Sequence, residues 1–586
     1  MRRHAAALAL AAAIALAAPA AATPSDDFEA LTEEYWAWVL RENPAFASML
    51  GVKDHDDRLA DISLAAEDRR AAEMEAFLER LEAIPDTGLS PAERTNKHIL
   101  MRTLSNAIEA NSFGQRMMLF TNRSGWHQSF AGLGEQLAFK SREDYENYLK
   151  RLAAYPDYNE EAIRISTRAI EEGYTLPCAA MAGFENSISG VIGEDPAATR
   201  LYAPFEGDPP PDMNEAEWEA MKTRAAELIG GPVRDAYREH HEWYTREYAP
   251  NCNPGVSIAA QPGGEQYYGY RVRTMTTTDL TPEEIHEIGL QEVARIRAEM
   301  EKVADEAGFD SREAFIEDLR TNPKYYAKSP EELMEAVGYE TKKLDGQMPR
   351  LFGLLPRLPY TIREIPPEIA PNTTTAYYNS GSLETGKPGI YYVNTSKLDQ
   401  RPLWEVPALS VHEAVPGHHH QIALQQELDM PDWRRHGTFF TAFVEGWGLY
   451  SESLGEEMGI YDTPAKKMGQ LSYEMWRAAR LVVDTGIHSK DWSKERAIEF
   501  MRDNTALTEG NIEAEVNRYI SWPGQALAYK IGELKIHELR DRAQAELGAG
   551  FDIRAFHDAV LGRGAVPLDV LEAQVEAWIA AEKAGG

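Results

Sequence analysis

Apolar residues recur every three or four positions along most of this chain, with charges between them. Phe28–Gly51 shows the pattern first, putting Leu31, Tyr35, Trp38 and Val39 on one stripe. That is the spacing of an amphipathic helix. Ala65–Glu82, Pro91–Asn111 and Asp144–Glu172 repeat it, so the N-terminal region is predicted to be helical with a solvated charged face. Pro204–Asp212 carries four prolines and stops the pattern. It is the predicted boundary between a helical region at 23–210 and a second region at 211–586. Glu215–Tyr248 is then helical again, interrupted at Gly230-Gly231-Pro232.

Two stretches break the helical period. Val256–Thr278 holds Gly263-Gly264 and then Tyr267, Tyr268, Tyr270 and Val272, which predicts a short strand or hairpin. Thr373–Tyr378 and Gly389–Asn394 are rich in Thr, Tyr and Val around a glycine-containing turn, predicting a second hairpin. Between them Thr281-Pro282-Glu283-Glu284 is a helix start, with a capping Thr, Pro in the first turn and Glu placed to reach back. That helix is expected to run to about Ala307. From Leu403 onward the pattern is helical, with breaks near Pro431, Pro464, Pro523 and Gly548–Gly550. The chain has no internal repeat, and its fold is predicted to be mainly α with small β-hairpins.

Composition narrows the partners. The 586 residues are 43% apolar, enough for a large core, and carry a net charge of −34. A field of that sign repels nucleic acid and anionic membranes, and no basic patch in the sequence offsets it. Met1–Ala22 reads as a signal peptide: Arg2 and Arg3, then the apolar run Ala5–Ala18, then small residues at Ala20–Ala22. The apolar run is too short for a stable anchor, and no cysteine near the cleavage site offers a lipid attachment. A periplasmic or secreted protein with no stable membrane insertion is expected. Cys178 and Cys252 are the two cysteines; in an exported chain they either pair or remain two buried thiols.

The chemistry centres on Val411–Gln421, VHEAVPGHHHQ. His412-Glu413 opens a zinc-peptidase signature, but the position four residues on, where a second histidine belongs, is Pro416. Histidines come at 418, 419 and 420. On a straight helix, position i+6 points roughly 240° around the axis from position i, so His418 could not share an ion with His412. Pro416 cannot donate an intrahelical hydrogen bond, and Gly417 permits an irregular turn. A two-residue bulge there would put His418, rather than His419, where the second ligand belongs. The third ligand is sought in Phe443–Ser453, FVEGWGLYSES, where Glu445 lies 27 residues after His418. Two His and one Glu with a position left for water form a catalytic zinc set, one Zn2+ per chain. Glu413 is the candidate base for that water. The plain alternative is surface carboxylates and an incidental histidine run.

These residues carry a family resemblance. HEAVPGHHHQ resembles the HExxPGHHxQ motif of the bacterial domain-of-unknown-function 885 family, which is similar to the gluzincin metallopeptidases; its GH-x-x-Q portion resembles the GH segment of carboxypeptidase Taq and the oligoendopeptidases. Val444–Glu452, Arg480–His488 (RLVVDTGIH) and Arg518–Gly532 (RYISWPGQALAYKIG) match further blocks, as do Gly263-Gly264…Tyr268 and Pro44–Ser63. His420 stands where the family more often has an apolar residue. The resemblance covers nearly the whole mature chain and implies a gluzincin-like helical body around a deep cleft with a peptidase-type zinc site.

Weaker candidates surround the site. Arg480, Asp484 and His488 recur every four residues on one helix face; His488 is a candidate oxyanion donor, or part of a salt-bridge row. Tyr529 is a second oxyanion candidate, or a core tyrosine. Glu452 could support the site from behind. Tyr391–Asn394 could be an edge strand that pairs with substrate, or a buried strand. Arg518 or Lys530 could hold a terminal carboxylate. Together these readings predict an exported zinc metallopeptidase acting on short peptides. Two alternatives stay open: a zinc amidase or esterase on a non-peptide or wall-derived substrate, and a non-catalytic periplasmic zinc- or peptide-binding protein. An intact Glu413 argues against the last, since storage needs no base.

Overall fold

Helix caps written in the sequence set where many helices begin. In the computed structural model, which describes residues 23–367, 369–370 and 373–585, Thr23, Ser90 and Thr281 each form a capping box with the acidic residue three positions on. The reciprocal bonds satisfy N–H groups that the first helical turn leaves without partners. Helices follow at Pro24–Glu42, Leu64–Ala83, Pro91–Asn111, Arg142–Glu172 and Pro282–Glu306, close to the predicted spans. The chain is mainly α with one small sheet. The signal-peptide segment Met1–Ala22 lies outside the described residues.

The predicted interruption at Gly230-Gly231-Pro232 is a kink: Gly231 takes φ −112° and ψ −107° between two helical stretches. The predicted hairpin within Val256–Thr278 is overturned. Gly264–Thr276 is an α-helix, and Tyr268, Val272 and Thr276 are its most deeply buried side chains. Spaced four apart, they form one helical face; β-forming residue types misled the reading because tertiary burial outweighs their modest intrinsic preference.

The other hairpin is present. Strand β2 (Ala376–Asn379) runs antiparallel to β3 (Gly389–Val393), and a strand the sequence pattern missed, β1 (Tyr360–Glu364), runs parallel to β3 on its other side. The sheet order is β1-β3-β2. Tyr391 and Val393 are buried in the central strand.

The main hydrophobic core joins both ends of the chain, from Phe28 through Leu104 to Ile579. A second cluster spans Phe120–Tyr248 and includes Leu201 and Tyr202 before the proline run and Met213 and Trp218 after it. The prolines at 204–212 therefore interrupt helices without separating cores. Cys178 and Cys252 form a disulfide within this part of the chain. At the centre lies the long helix Pro464–Ser489, buried at every position from Met468 to His488. Its buried Leu, Val, Ile and Met side chains each contribute about 1.5–3 kcal/mol. Three of its buried ionisable groups are ion-paired: Glu474 with Lys530 at 3.0 Å, Arg477 with Glu452 at 3.4 Å and Arg480 with Glu515 at 2.8 Å. No helix among the described residues is long and apolar enough to cross a membrane.

Candidate functional site

The HEAVPGHHHQ stretch is two helices joined by a turn. Val406–Glu413 ends at Ala414, and His418–Glu427 begins after Gly417. The Gly417 N–H reaches the carbonyl of Val411, six residues back, at 2.9 Å. An α-helical bond would span four, so the turn holds two extra residues, as the Pro416-Gly417 pair predicted. The Val415–Pro416 bond is cis, and the Pro416 carbonyl accepts from Trp447 Nε1 at 2.8 Å. Only glycine fits at 417: a Cβ there would stand 1.9 Å from the His412 carbonyl oxygen.

The turn brings His418 beside His412, ring centroids 4.6 Å apart and nearly perpendicular. Glu445, from the helix Thr441–Leu454, completes the group: its Oε2 lies 3.6 Å from His412 Nε2 and 3.3 Å from His418 Nε2. Among the described residues this oxygen makes no hydrogen bond although it is buried. Ligands about 2.1 Å from a tetrahedral ion stand about 3.4 Å from one another, which is the spacing here. The donor set therefore fits a small divalent cation. Burial disfavours a charged His412, but Glu445 and Glu452 outweigh it and hold the imidazole up at about 9. Burial likewise opposes ionisation of Glu445, and the two histidines overcome it, holding the carboxyl well below the usual range.

Glu452 accepts from His412 Nδ1 at 2.8 Å, which turns Nε2 toward Glu445 and His418. Buried completely, it is also 3.4 Å from Arg477 Nη2. This arrangement orients a ligating histidine and raises its basicity. Gly448 makes room for it: a Cβ there would come within 2.8 Å of the His412 ring. The second and third histidines of the run face elsewhere. His419 donates from Nε2 to the Leu358 carbonyl and accepts at Nδ1 from the Tyr378 hydroxyl, both at 3.0 Å. With both nitrogens committed and burial pushing it down to about 4, it is a structural tie. His420 is buried against Phe352.

A cavity of about 610 Å3 opens on His412, Glu413, His418 and Glu445. The segment Thr374–Asn379, containing β2, forms another wall. Among the described residues β2 pairs with β3 alone, so its other edge has no strand partner. Tyr529 also lines the cavity, its ring stacked 6.3 Å from that of His412. Its hydroxyl accepts from Arg518 Nη2 at 3.0 Å and from Gln525 Nε2 at 3.4 Å, so its own proton is free to be donated. Four arginines line the cavity as well: Arg123, Arg477, Arg480 and Arg518.

The sequence profile of a family described as "Bacterial protein of unknown function (DUF885)" matches residues 44–575. The chain belongs to this family. Among solved structures, a "putative lipoprotein from Colwellia psychrerythraea" is similar over 95% of this chain and 100% of its own, with 26% identity and a TM-score of 0.87. A "putative lipoprotein of unknown function from Shewanella oneidensis" shares the fold over 94% of this chain and 99% of its own, with 18% identity and a TM-score of 0.68. No curated protein matches the chain.

Three readings from sequence change in this DUF885 structure. His488 does not line the cavity: its Nδ1 accepts from the Ile258 N–H at 3.1 Å and its Nε2 donates to the Tyr519 carbonyl at 3.0 Å. Burial pushes it down to about 4, so it ties two backbone segments together and is no oxyanion donor. Asp484, one turn earlier, accepts from the Tyr268 hydroxyl at 2.7 Å and from the Gly524 N–H; only Arg480 of that row reaches the cavity. Lys530 is fully buried among Glu292, Glu474 and Glu533, so it cannot meet a ligand there. The strand Tyr391–Asn394 is central, and β2 supplies the open edge instead. Arg123 and Arg477 were missed because no local pattern marks a residue that reaches a site through tertiary packing.

Proposed function

We propose that this DUF885 protein is a zinc-dependent metallopeptidase that hydrolyses short peptides. The observation that carries the reading is the His412, His418 and Glu445 donor set with Glu413 beside it on one cavity wall. Two histidines, one carboxylate and an open side form the ligand set of catalytic rather than structural zinc sites. When bound, zinc supplies a Lewis acid that acidifies water and polarises a carbonyl. Glu413 takes the proton of the attacking water and returns it to the leaving amine. Glu452 keeps His412 in the tautomer that presents Nε2. The Tyr529 hydroxyl, held by Arg518 and Gln525, donates to the oxyanion of the tetrahedral intermediate. The open edge of β2 receives an extended peptide backbone as an added strand. A cavity of this size admits such a segment and turns away a folded domain.

The disulfide supports export, since such bonds persist in oxidising compartments; a periplasmic or secreted location follows the signal-like Met1–Ala22. The test is to incubate zinc-loaded protein with a mixed peptide library and read the products by mass spectrometry, beside chelator-treated protein. Cleavage that stops with chelation and returns with zinc supports the reading. An intact library beside hydrolysed model esters or amides would move it to an amidase or esterase. Zinc bound without turnover of either would leave a binding protein.

A further inference from the structure

The chain has 94 acidic and 60 basic residues, yet this cavity gathers four arginines. Three of them converge on one carboxylate. Glu515 is fully buried, with Arg480 Nη2 at 2.8 Å, Arg518 Nη1 at 3.5 Å and Arg123 Nη1 at 3.9 Å. One carboxylate cannot neutralise three guanidiniums, and a buried charge without a counter-ion is strongly disfavoured. Arg480 is 1% exposed. Among the described residues its Nη1 makes no hydrogen bond, and neither does Arg518 Nε. Arg123 comes from a distant part of the chain and is fixed through Nη2 to Thr374 Oγ1 at 2.9 Å, beside β2. The cluster is held in place and has charge to spare.

We propose that Arg123, Arg480 and Arg518 bind the free C-terminal carboxylate of the peptide substrate, making this protein a carboxypeptidase that removes one or two residues. The inference rests on the metallopeptidase reading and adds the end of the substrate that is recognised. Length favours a chain end. The Tyr529 ring touches both centres, 6.3 Å from the His412 ring and 4.3 Å from the Arg480 guanidinium carbon, so these two are no further apart than the sum of the two distances. Two extended residues span about 7 Å, and a guanidinium–carboxylate pair adds about 4 Å between carbons. A carboxylate one or two residues beyond the cleaved bond therefore reaches the arginines. The remainder of the peptide has a place to go: a second cavity of about 520 Å3 shares Tyr377, Tyr378, Asn379 and Phe439 with the first, and none of these arginines lines it. Arginine suits the task because its fork binds a carboxylate through two parallel bonds.

The test uses three versions of one peptide: free acid, C-terminal amide, and amide ending in Glu. Cleavage by the zinc-loaded protein is read by mass spectrometry, and binding to the Glu413→Gln variant by calorimetry. We expect kcat/KM at least about a hundredfold higher for the acid than for either amide, and binding at least about tenfold tighter. Products should be single residues or dipeptides from the C-terminus. Arg518→Gln should remove most of the preference. Arg123→Gln, at a wall position 25% exposed, should do so in part while keeping the wild-type melting temperature. Equal cleavage and binding of acid and plain amide would overturn the carboxylate subsite and leave the peptidase reading standing. Equal preference for the Glu-ending amide would assign the arginines to an acidic side chain and overturn the carboxypeptidase. Neither cleavage nor binding of any version would overturn both.

Discussion

The cavity has two walls of opposite character. One is the His412, Glu413, His418 and Glu445 cluster, drawn from a segment of 34 residues. The other is the arginine cluster, drawn from positions 123, 477, 480 and 518, nearly four hundred residues apart. The first is built by a local backbone device, the Pro416-Gly417 turn that returns His418 to His412. The second exists because the long helix Pro464–Ser489 passes under the cavity while Arg123 arrives from another part of the chain. A site made by local geometry leaves a readable signature. A site made by convergence leaves scattered arginines that look like any others.

Substitutions separate the two walls. The largest effect is expected on the local one: His418→Ala or Glu445→Ala should abolish zinc binding and activity together, because a two-ligand site loses its grip on the ion. Full zinc content by atomic spectroscopy in either variant would transfer the ligand role to another residue. Glu413→Gln should keep zinc and the melting temperature while lowering the rate at least about a hundredfold, the scale of a lost general base; a normal rate would remove Glu413 from the mechanism.

Glu452→Gln lies between the walls, since Glu452 touches both His412 and Arg477. It should weaken zinc affinity about ten- to a hundredfold without abolishing it, as measured by competition with a chromophoric chelator. The smallest effects on the site are expected from the histidines that the structure assigns to scaffolding. His419→Ala and His488→Ala should each lower stability by about 1–3 kcal/mol, the cost of leaving buried backbone partners unpaired, with zinc stoichiometry unchanged. Loss of zinc in His419→Ala with retention in His418→Ala would reverse the assignment of the second ligand.

What the sequence determined by itself was whatever depends on neighbours along the chain. Capping boxes at Thr23, Ser90 and Thr281 start helices because the bonds close within three residues. The two-residue excess at Pro416-Gly417 and the return of His418 to the side of His412 could be read because helical geometry converts spacing into direction. The β2–β3 hairpin could be read from its Thr, Tyr and Val content. Tertiary structure decided the rest. Gly264–Thr276 became a helix because Tyr268, Val272 and Thr276 share one buried face, and strand β1 was made by the partner beside it. His488 kept the spacing of a catalytic candidate but lost the role, since Ile258 and Tyr519 occupy both its nitrogens. The arginine wall could not be foreseen for the same reason: burial, pairing and convergence are properties of residues brought together in space, and spacing along the chain carries no record of them.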